Sequence, residues 1–372
     1  MTPDREVVVA LDWSPNTNHT GFYIAKVKGW YESEGLKVRL LGAQEPDYRG
    51  SYSEENGTNP DGDYPTPCAK VAAKTATFAM NSPEGVIGWN TPPPGLDRPA
   101  LKTIAAVLQA QTSAIVTLKE SGLARPRDLD GKIYASYAAR FEGRIVQKMI
   151  RNDGGTGDFQ EKVLPMLGIW NTLLAKAADA TWVFTGWEGV EAKRQGVELN
   201  TFMVQDYGIP YGYAPCLVAH PETLADEPDM VRAFLRATAR GFEWAAAHPD
   251  EAADILVKAA MDDSGFVLDA DMVRMSQREL GEAYLDAEGK WGRMEALRWD
   301  AYLDWLSEEG LLTTFTQSRA PQEGVSASLD ELRAGKVGAC IPREAVPSAK
   351  LFTNEFFDTR PMAPSRNSVT SL

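Results

Sequence analysis

Histidine and cysteine are scarce in this chain, with three of each among 372 residues. Cys68, Cys216 and Cys340 lie far apart, are odd in number and form no Cys-x-x-Cys pair. That argues against a disulfide framework or a structural zinc site, and for a reducing compartment. His220 and His248 each precede a proline, a position that suits a helix boundary. Metal ligation is unsupported by the spacing of the histidines, and a classical hydrolase triad is unsupported as well. Positive charge is also short: 38 Lys and Arg against 52 Asp and Glu leave a net charge of −14. Nucleic acid and anionic membrane surfaces are therefore poor partners. No apolar run approaches the ~18 residues of a membrane span. The opening Met1–Glu6 runs straight into an apolar strand, without the cationic, apolar and small-residue segments of an export signal. The expectation is a cytoplasmic protein, and a transporter partner would require export. Thr370-Ser371-Leu372 reads as a frayed tail rather than a peroxisomal address. There is no Gly-x4-Gly-Lys phosphate loop and no Gly-x-Ser-x-Gly elbow. Gly154-Gly155-Thr156-Gly157 follows a helical stretch, so it reads as a helix-end turn. No cofactor is predicted.

What the chain does have is α/β organisation. Val7–Ala10 reads as a buried strand, residues 21–31 as a helix with Gly29 as its stop, and Leu36–Leu41 as an alternating strand. That βαβ unit predicts a parallel sheet. Residues 45–67 are dense in Gly, Pro, Asn and Asp and read as a long loop, either functional or a plain surface insertion. Residues 112–117 read as a crossing into a second lobe and 214–219 as the strand that returns. The reading is lobe 1 from 1–110 and 217–372, and lobe 2 from 111–216. Val231, Phe234, Leu235, Thr238 and Phe242 recur at helical spacing and mark a core-facing stripe. Trp291, Trp299 and Trp305 read as packing residues. Two α/β lobes, two crossovers and a helical C-terminal part leave a cleft, the default place for a small-molecule ligand.

Strand ends concentrate the chemistry. Asp12, Trp13, Asn16, Asn18 and His19 follow the first strand; Asn81, Ser82 and Glu84 follow the third. Ser136, Arg140 and Arg144 lie around the turn into a second-lobe helix. Trp187 and Glu188 end a later strand, and Tyr211 and Tyr213 precede the return. A carboxylate beside an indole suits a flat ring bearing an amine. The turn before helix 141–150, with its free amides and Arg140 or Arg144, suits an anionic group. Each piece also has an ordinary reading. Asp12 fits a turn or helix cap, Trp13 and Trp187 fit core, and Asn16 and Asn18 fit turn positions with positive φ.

Leu11-Asp12-Trp13-Ser14-Pro15-Asn16-Thr17-Asn18-His19-Thr20-Gly21-Phe22-Tyr23 resembles the opening of thiamine-pyrimidine-binding proteins. Their superfamily also holds sulfonate-binding proteins and the fungal thiamine-pyrimidine synthases. Gly29-Trp30-Tyr31-Glu32-Ser33-Glu34-Gly35-Leu36, Trp187-Glu188-Gly189-Val190-Glu191-Ala192 and Leu351-Phe352-Thr353-Asn354-Glu355-Phe356-Phe357 are similar as well. The resemblance implies a two-lobed type-2 periplasmic-binding-protein-like fold closing on a formylaminopyrimidine or a related precursor. It implies Asp12 and Glu188 on the polar edge of the ring, Trp13 packed on the ring, and Asn16 and His19 lining the mouth. Where the synthase branch carries its cofactor lysine, this chain has Asn81. Near Glu84-Gly85 it lacks that branch's substrate histidine, and at 209–213 its cysteine-rich motif. The expectation is a binder of an aminated heterocycle. The alternatives are an enzyme of thiamine pyrimidine formation and a binder of sulfonates or other small anions.

Overall fold

The computed structural model describes residues 5–43, 45, 66–92, 94–136, 141–163, 168–314 and 339–357. The 45–67 loop and Arg140 fall almost wholly or wholly outside them. Strands β1 (Arg5–Ala10), β2 (Leu36–Leu41), β3 (Phe78–Asn81), β4 (Lys102–Ala106) and β10 (Cys216–Ala219) form one sheet, in the order β2-β1-β3-β10-β4. The second sheet holds β5 (Ser113–Leu118), β6 (Ile133–Ser136), β7 (Gln160–Val163), β8 (Ala180–Phe184) and β9 (Leu199–Met203), in the order β7-β6-β8-β5-β9. The chain passes between the sheets through 107–112 and 204–215.

The expectation of a parallel sheet needs correction. β1 pairs parallel with β2 and β3, and β6 with β7 and β8. However, β10 lies antiparallel to β3 and β4, and β5 antiparallel to β8 and β9. The physical reason is direction of entry. β5 and β10 are fed straight from the connecting segments, with no crossover helix to return the chain to the same end.

Helices α1 (Thr20–Val27) and α2 (Trp30–Ser33) follow β1, and α3 (Pro67–Ala72) and α4 (Pro83–Asn90) flank β3. α5 (Glu142–Asn152) and α6 (Val190–Arg194) belong with the second sheet. After the return come α7 (Pro221–Asp226), α8 (Pro228–Ala247), α9 (Pro249–Ser264), α10 (Ala270–Leu280), α11 (Ala296–Glu308) and α12 (Ser348–Leu351). The stretch read as one helix over 21–31 is two, because Gly29 takes φ +68° between α1 and α2. Among the described residues no helix is long and apolar enough to cross a membrane.

The α8 stripe is core: Val231, Phe234, Leu235, Thr238 and Phe242 have no exposed surface. Phe234 stacks on Phe78 at 4.5 Å, and Trp291 stacks on Phe242 at 4.8 Å. Trp291, Trp299 and Trp305 are all buried. The Gly154–Gly157 turn after α5 wraps a carboxylate of its own chain. The Thr156, Gly157 and Asp158 amides donate to Asp130 at 2.6, 2.8 and 3.0 Å. Desolvation pulls the Asp130 pKa up, but these amides outweigh it and hold it below the usual range. Those N–H groups are therefore already taken.

The helix that follows the first loop is held by backbone contact. A Cβ on Gly241 would stand 2.0 Å from the Gly21 carbonyl oxygen, and one on Gly21 2.2 Å from the Phe242 ring. Only glycine allows α1 and α8 to approach this closely. Gly241→Ala is expected to destabilise the protein by about 1–3 kcal/mol, the cost of overpacking a rigid contact, read as a lower urea midpoint at unchanged m-value.

Candidate functional site

The loop after β1 is shaped by a capped turn. Asn16 sits in extended backbone at φ −153° and caps the 3-10 turn Thr17–His19, its Oδ1 accepting from the Asn18 amide at 2.8 Å. The Asn16 amide in turn donates to His19 Nδ1 at 3.2 Å. An Nδ1 that accepts leaves the imidazole hydrogen on Nε2, which donates to Asp12 Oδ1 at 2.9 Å. His19 is completely buried, whereas the Asp12 side chain keeps 29% of its surface. His19 thus stands behind Asp12 and does not line the mouth. The positive-φ reading of Asn16 and Asn18 is also corrected: among the described residues, Lys74 and Lys176 are the only non-glycine positions with positive φ.

The facing wall comes from the second sheet. After β8 the chain makes a π-helical turn, Thr185–Gly189, which presents Trp187 and Glu188. Asp12, Trp13, Asn16, Asn18, Phe184, Trp187 and Glu188 line a pocket of about 90 Å³. Glu188 accepts from the Phe184 amide at 2.9 Å. Part of the residue meets the pocket, but desolvation dominates at its carboxyl. It outweighs the amide bonds, Glu191 adds repulsion, and the pKa is pushed up to about 7. Asp12 and Glu188 are therefore two acids in different surroundings on one pocket. Phe184 was not anticipated; its signal was its place as the last residue of the strand before Trp187.

The other predicted residues lie elsewhere. Asn81 donates to Cys68 Sγ at 2.8 Å and accepts from the Ser82 amide at 2.8 Å. Ser82 caps α4, accepting from the Gly85 amide at 3.1 Å. Glu84, 3% exposed, reaches between the lobes: it accepts from Tyr211 Oη at 2.9 Å and from the Phe141 amide at 3.2 Å. The Phe141 amide, just ahead of α5, thus already has a carboxylate partner, which counts against the anion-site reading. Ser136 is fully buried at the end of β6, and Arg144 is half-buried on α5. Tyr211 packs between Trp182 and Tyr302 at ring distances of 5.6 and 5.3 Å. Tyr213 is core, not cleft: it is 2% exposed, its oxygen accepts from the Glu295 amide at 2.9 Å, and Arg298 lies 4.0 Å over its ring. Among the described residues no three His, Cys, Asp or Glu side chains gather as metal ligands.

The sequence pattern that defines the NMT1/THI5-like family matches residues 16–54 and 58–252, well over half of the chain. The chain belongs to the NMT1/THI5-like family. Among curated relatives of this family member, the formylaminopyrimidine-binding protein of Halalkalibacterium halodurans is 25% identical, over 81% of this chain and 84% of that one. The 4-amino-5-hydroxymethyl-2-methylpyrimidine phosphate synthase of Legionella pneumophila is 22% identical, over 68% and 73%. Among solved structures, the alkanesulfonate-binding protein of Xanthomonas axonopodis pv. citri bound to MOPS superposes with a TM-score of 0.57. That match covers 86% of this chain and 97% of that one at 12% identity, a likeness of fold. The fold is that of the periplasmic-binding proteins: α/β, two-lobed, with a cleft and a helical C-terminal part.

The Glu188 environment makes a pH prediction. Its folded pKa of about 7 lies above the ordinary 4.5, so the folded protein holds this proton more tightly than the unfolded chain does. The resulting stability is fully present below about pH 4.5 and is lost as pH rises through about 7. Glu188→Gln keeps the neutral shape at every pH. Urea unfolding should show wild type losing on the order of 1–3 kcal/mol relative to Glu188→Gln between pH 4.5 and 8.

Proposed function

We propose that this protein binds an aminated six-membered heterocycle of the thiamine-pyrimidine type in the Asp12–Glu188 pocket, by closure of its two lobes. The observation that carries the reading is the pairing of unlike acids with indoles on one small pocket. Asp12 gives one oxygen to His19 and keeps the other for an exocyclic amine. Glu188, poised near neutrality, can donate a proton to a ring nitrogen or accept from an amine. Trp13 and Trp187 supply flat apolar surface for the ring. The name of the Halalkalibacterium relative supports the same ligand class.

The names of the synthase relatives favour a second reading, pyrimidine formation. Against it, position 81 carries an amide already held by Cys68 and the Ser82 amide, and an amide forms no Schiff base. Sulfonate binding at the Phe141 amide would compete with Glu84, which already accepts from it.

Calorimetry with 4-amino-5-hydroxymethyl-2-methylpyrimidine tests the first reading. Asp12→Asn should weaken binding by about 10- to 100-fold, the worth of a charge-assisted hydrogen bond in a confined site. Unchanged affinity in both Asp12→Asn and Glu188→Gln would sink the pocket assignment. Titration with pyridoxal phosphate should give no imine absorption, and a lysine-dependent imine band would move the assignment to the synthase branch.

A further inference from the structure

The two walls of the pocket come from different sheets, yet both are fastened to one helix of the C-terminal part. Ser276 on α10 is fully buried, as is Thr17 of the first wall. The Ser276 hydroxyl donates to the carbonyl oxygen of Gly186, the residue before Trp187. A serine has one hydroxyl hydrogen, so the contact between Thr17 Oγ1 and Ser276 Oγ, 2.6 Å long, must run with Thr17 as donor. The order Thr17 to Ser276 to Gly186 is thereby fixed. Its neighbours reinforce both ends. Thr20 donates to Gln277 Oε1 at 2.7 Å, and Tyr284 Oη donates to the Thr17 carbonyl at 2.6 Å. Gly186 lies so close to α10 that a Cβ there would meet Leu280 at 2.5 Å.

We propose that Ser276 is a positioning residue of the pocket: it ties the Asp12–His19 wall and the Trp187–Glu188 wall to α10 and so sets the gap a ligand must fit. The ion pairs Lys193–Glu279 and Arg194–Asp269 join the same helix to α6, at 2.9 and 2.8 Å, but they are largely solvent-exposed and give little orientation. The hydroxyl relay has no exposed atoms in its path, so water cannot replace it without the walls parting. The consequence for ligand affinity rests on the pyrimidine-pocket reading; the consequence for the walls does not.

Hydrogen exchange on the unliganded protein and calorimetry with 4-amino-5-hydroxymethyl-2-methylpyrimidine test this together. Ser276→Ala should speed exchange of the 185–189 amides roughly tenfold while leaving the α8 amides of 231–242 unchanged. Thr17→Val removes one donor only and should loosen the first wall alone; the double variant should match Ser276→Ala, as expected for one coupled chain. Probe affinity should fall roughly tenfold in Ser276→Ala, with Asp12→Asn losing affinity at unchanged exchange in 185–189. Wild-type exchange rates at 185–189 in Ser276→Ala, or equal acceleration over the whole chain, would overturn the proposal. If Ser276→Ala does not fold, Thr17→Val carries the test, and unchanged exchange in 13–19 overturns it. Failure of the wild type to bind the probe would overturn the ligand reading while leaving the exchange result to decide the role of Ser276.

Discussion

The pocket depends on how the two connecting segments are clamped together. Arg298 of α11 donates to the Gln109 carbonyl of the outgoing segment and to the Gly212 carbonyl of the returning one, the latter at 3.3 Å. Its guanidinium lies over the Tyr213 ring, 4.0 Å from its centre. Gln111 adds a direct tie, donating to the Gly212 carbonyl at 3.0 Å. With both crossings held at one place, the ends of β1 and β8 have a defined relation, and residues 12–19 can face residues 184–188. Tyr213 matters for this reason: it is the platform of the clamp, and its distance from the pocket is no loss of importance.

Within the pocket, the two acids are made different by what stands behind them. Asp12 is backed by a neutral imidazole N–H whose tautomer is set by the Asn16 amide. Glu188 is backed mainly by dry surroundings and the nearby Glu191. The first arrangement orients a carboxylate; the second leaves a carboxyl near the point where it gains or loses its proton. Two acids held in such unlike surroundings can divide donor and acceptor roles between them. An aminopyrimidine edge, with an amine beside a ring nitrogen, offers the matching acceptor and donor.

Much of this was legible in the sequence, for physical reasons that also mark where legibility ended. The Leu11–Gly21 segment declared itself because acid, indole and amides crowd behind an apolar strand. The α8 stripe follows from helical period, which is local. Which side of a side chain faces the cleft is not local. His19, Ser136 and Tyr213 sit beside site residues in the chain, yet the turn at 17–19, the end of β6 and the Arg298 stack turn them inward. Strand direction failed at β5 and β10 because it is decided by where the chain enters a sheet. Ser276 gave no signal, since a serine in an amphipathic helix is ordinary until Thr17 and Gly186 are brought to it.

Glu84 shows how such distant placement changes chemistry. The start of α5, with its inward-pointing amides, reads from sequence as an anion site. In the folded chain a carboxylate from α4 reaches across the cleft and accepts from the Phe141 amide there, with Tyr211 on its other oxygen. An anionic group directed at the Phe141 amide finds it already bonded to a carboxyl group. The chain is acidic throughout, and the pocket itself carries two more carboxyl groups. Electrostatics therefore favour a ligand that arrives neutral or cationic and bears its amine toward Asp12. A negatively charged substituent aimed at the Phe141 amide would have to displace Glu84, at the cost of leaving Tyr211 and that amide to find new partners.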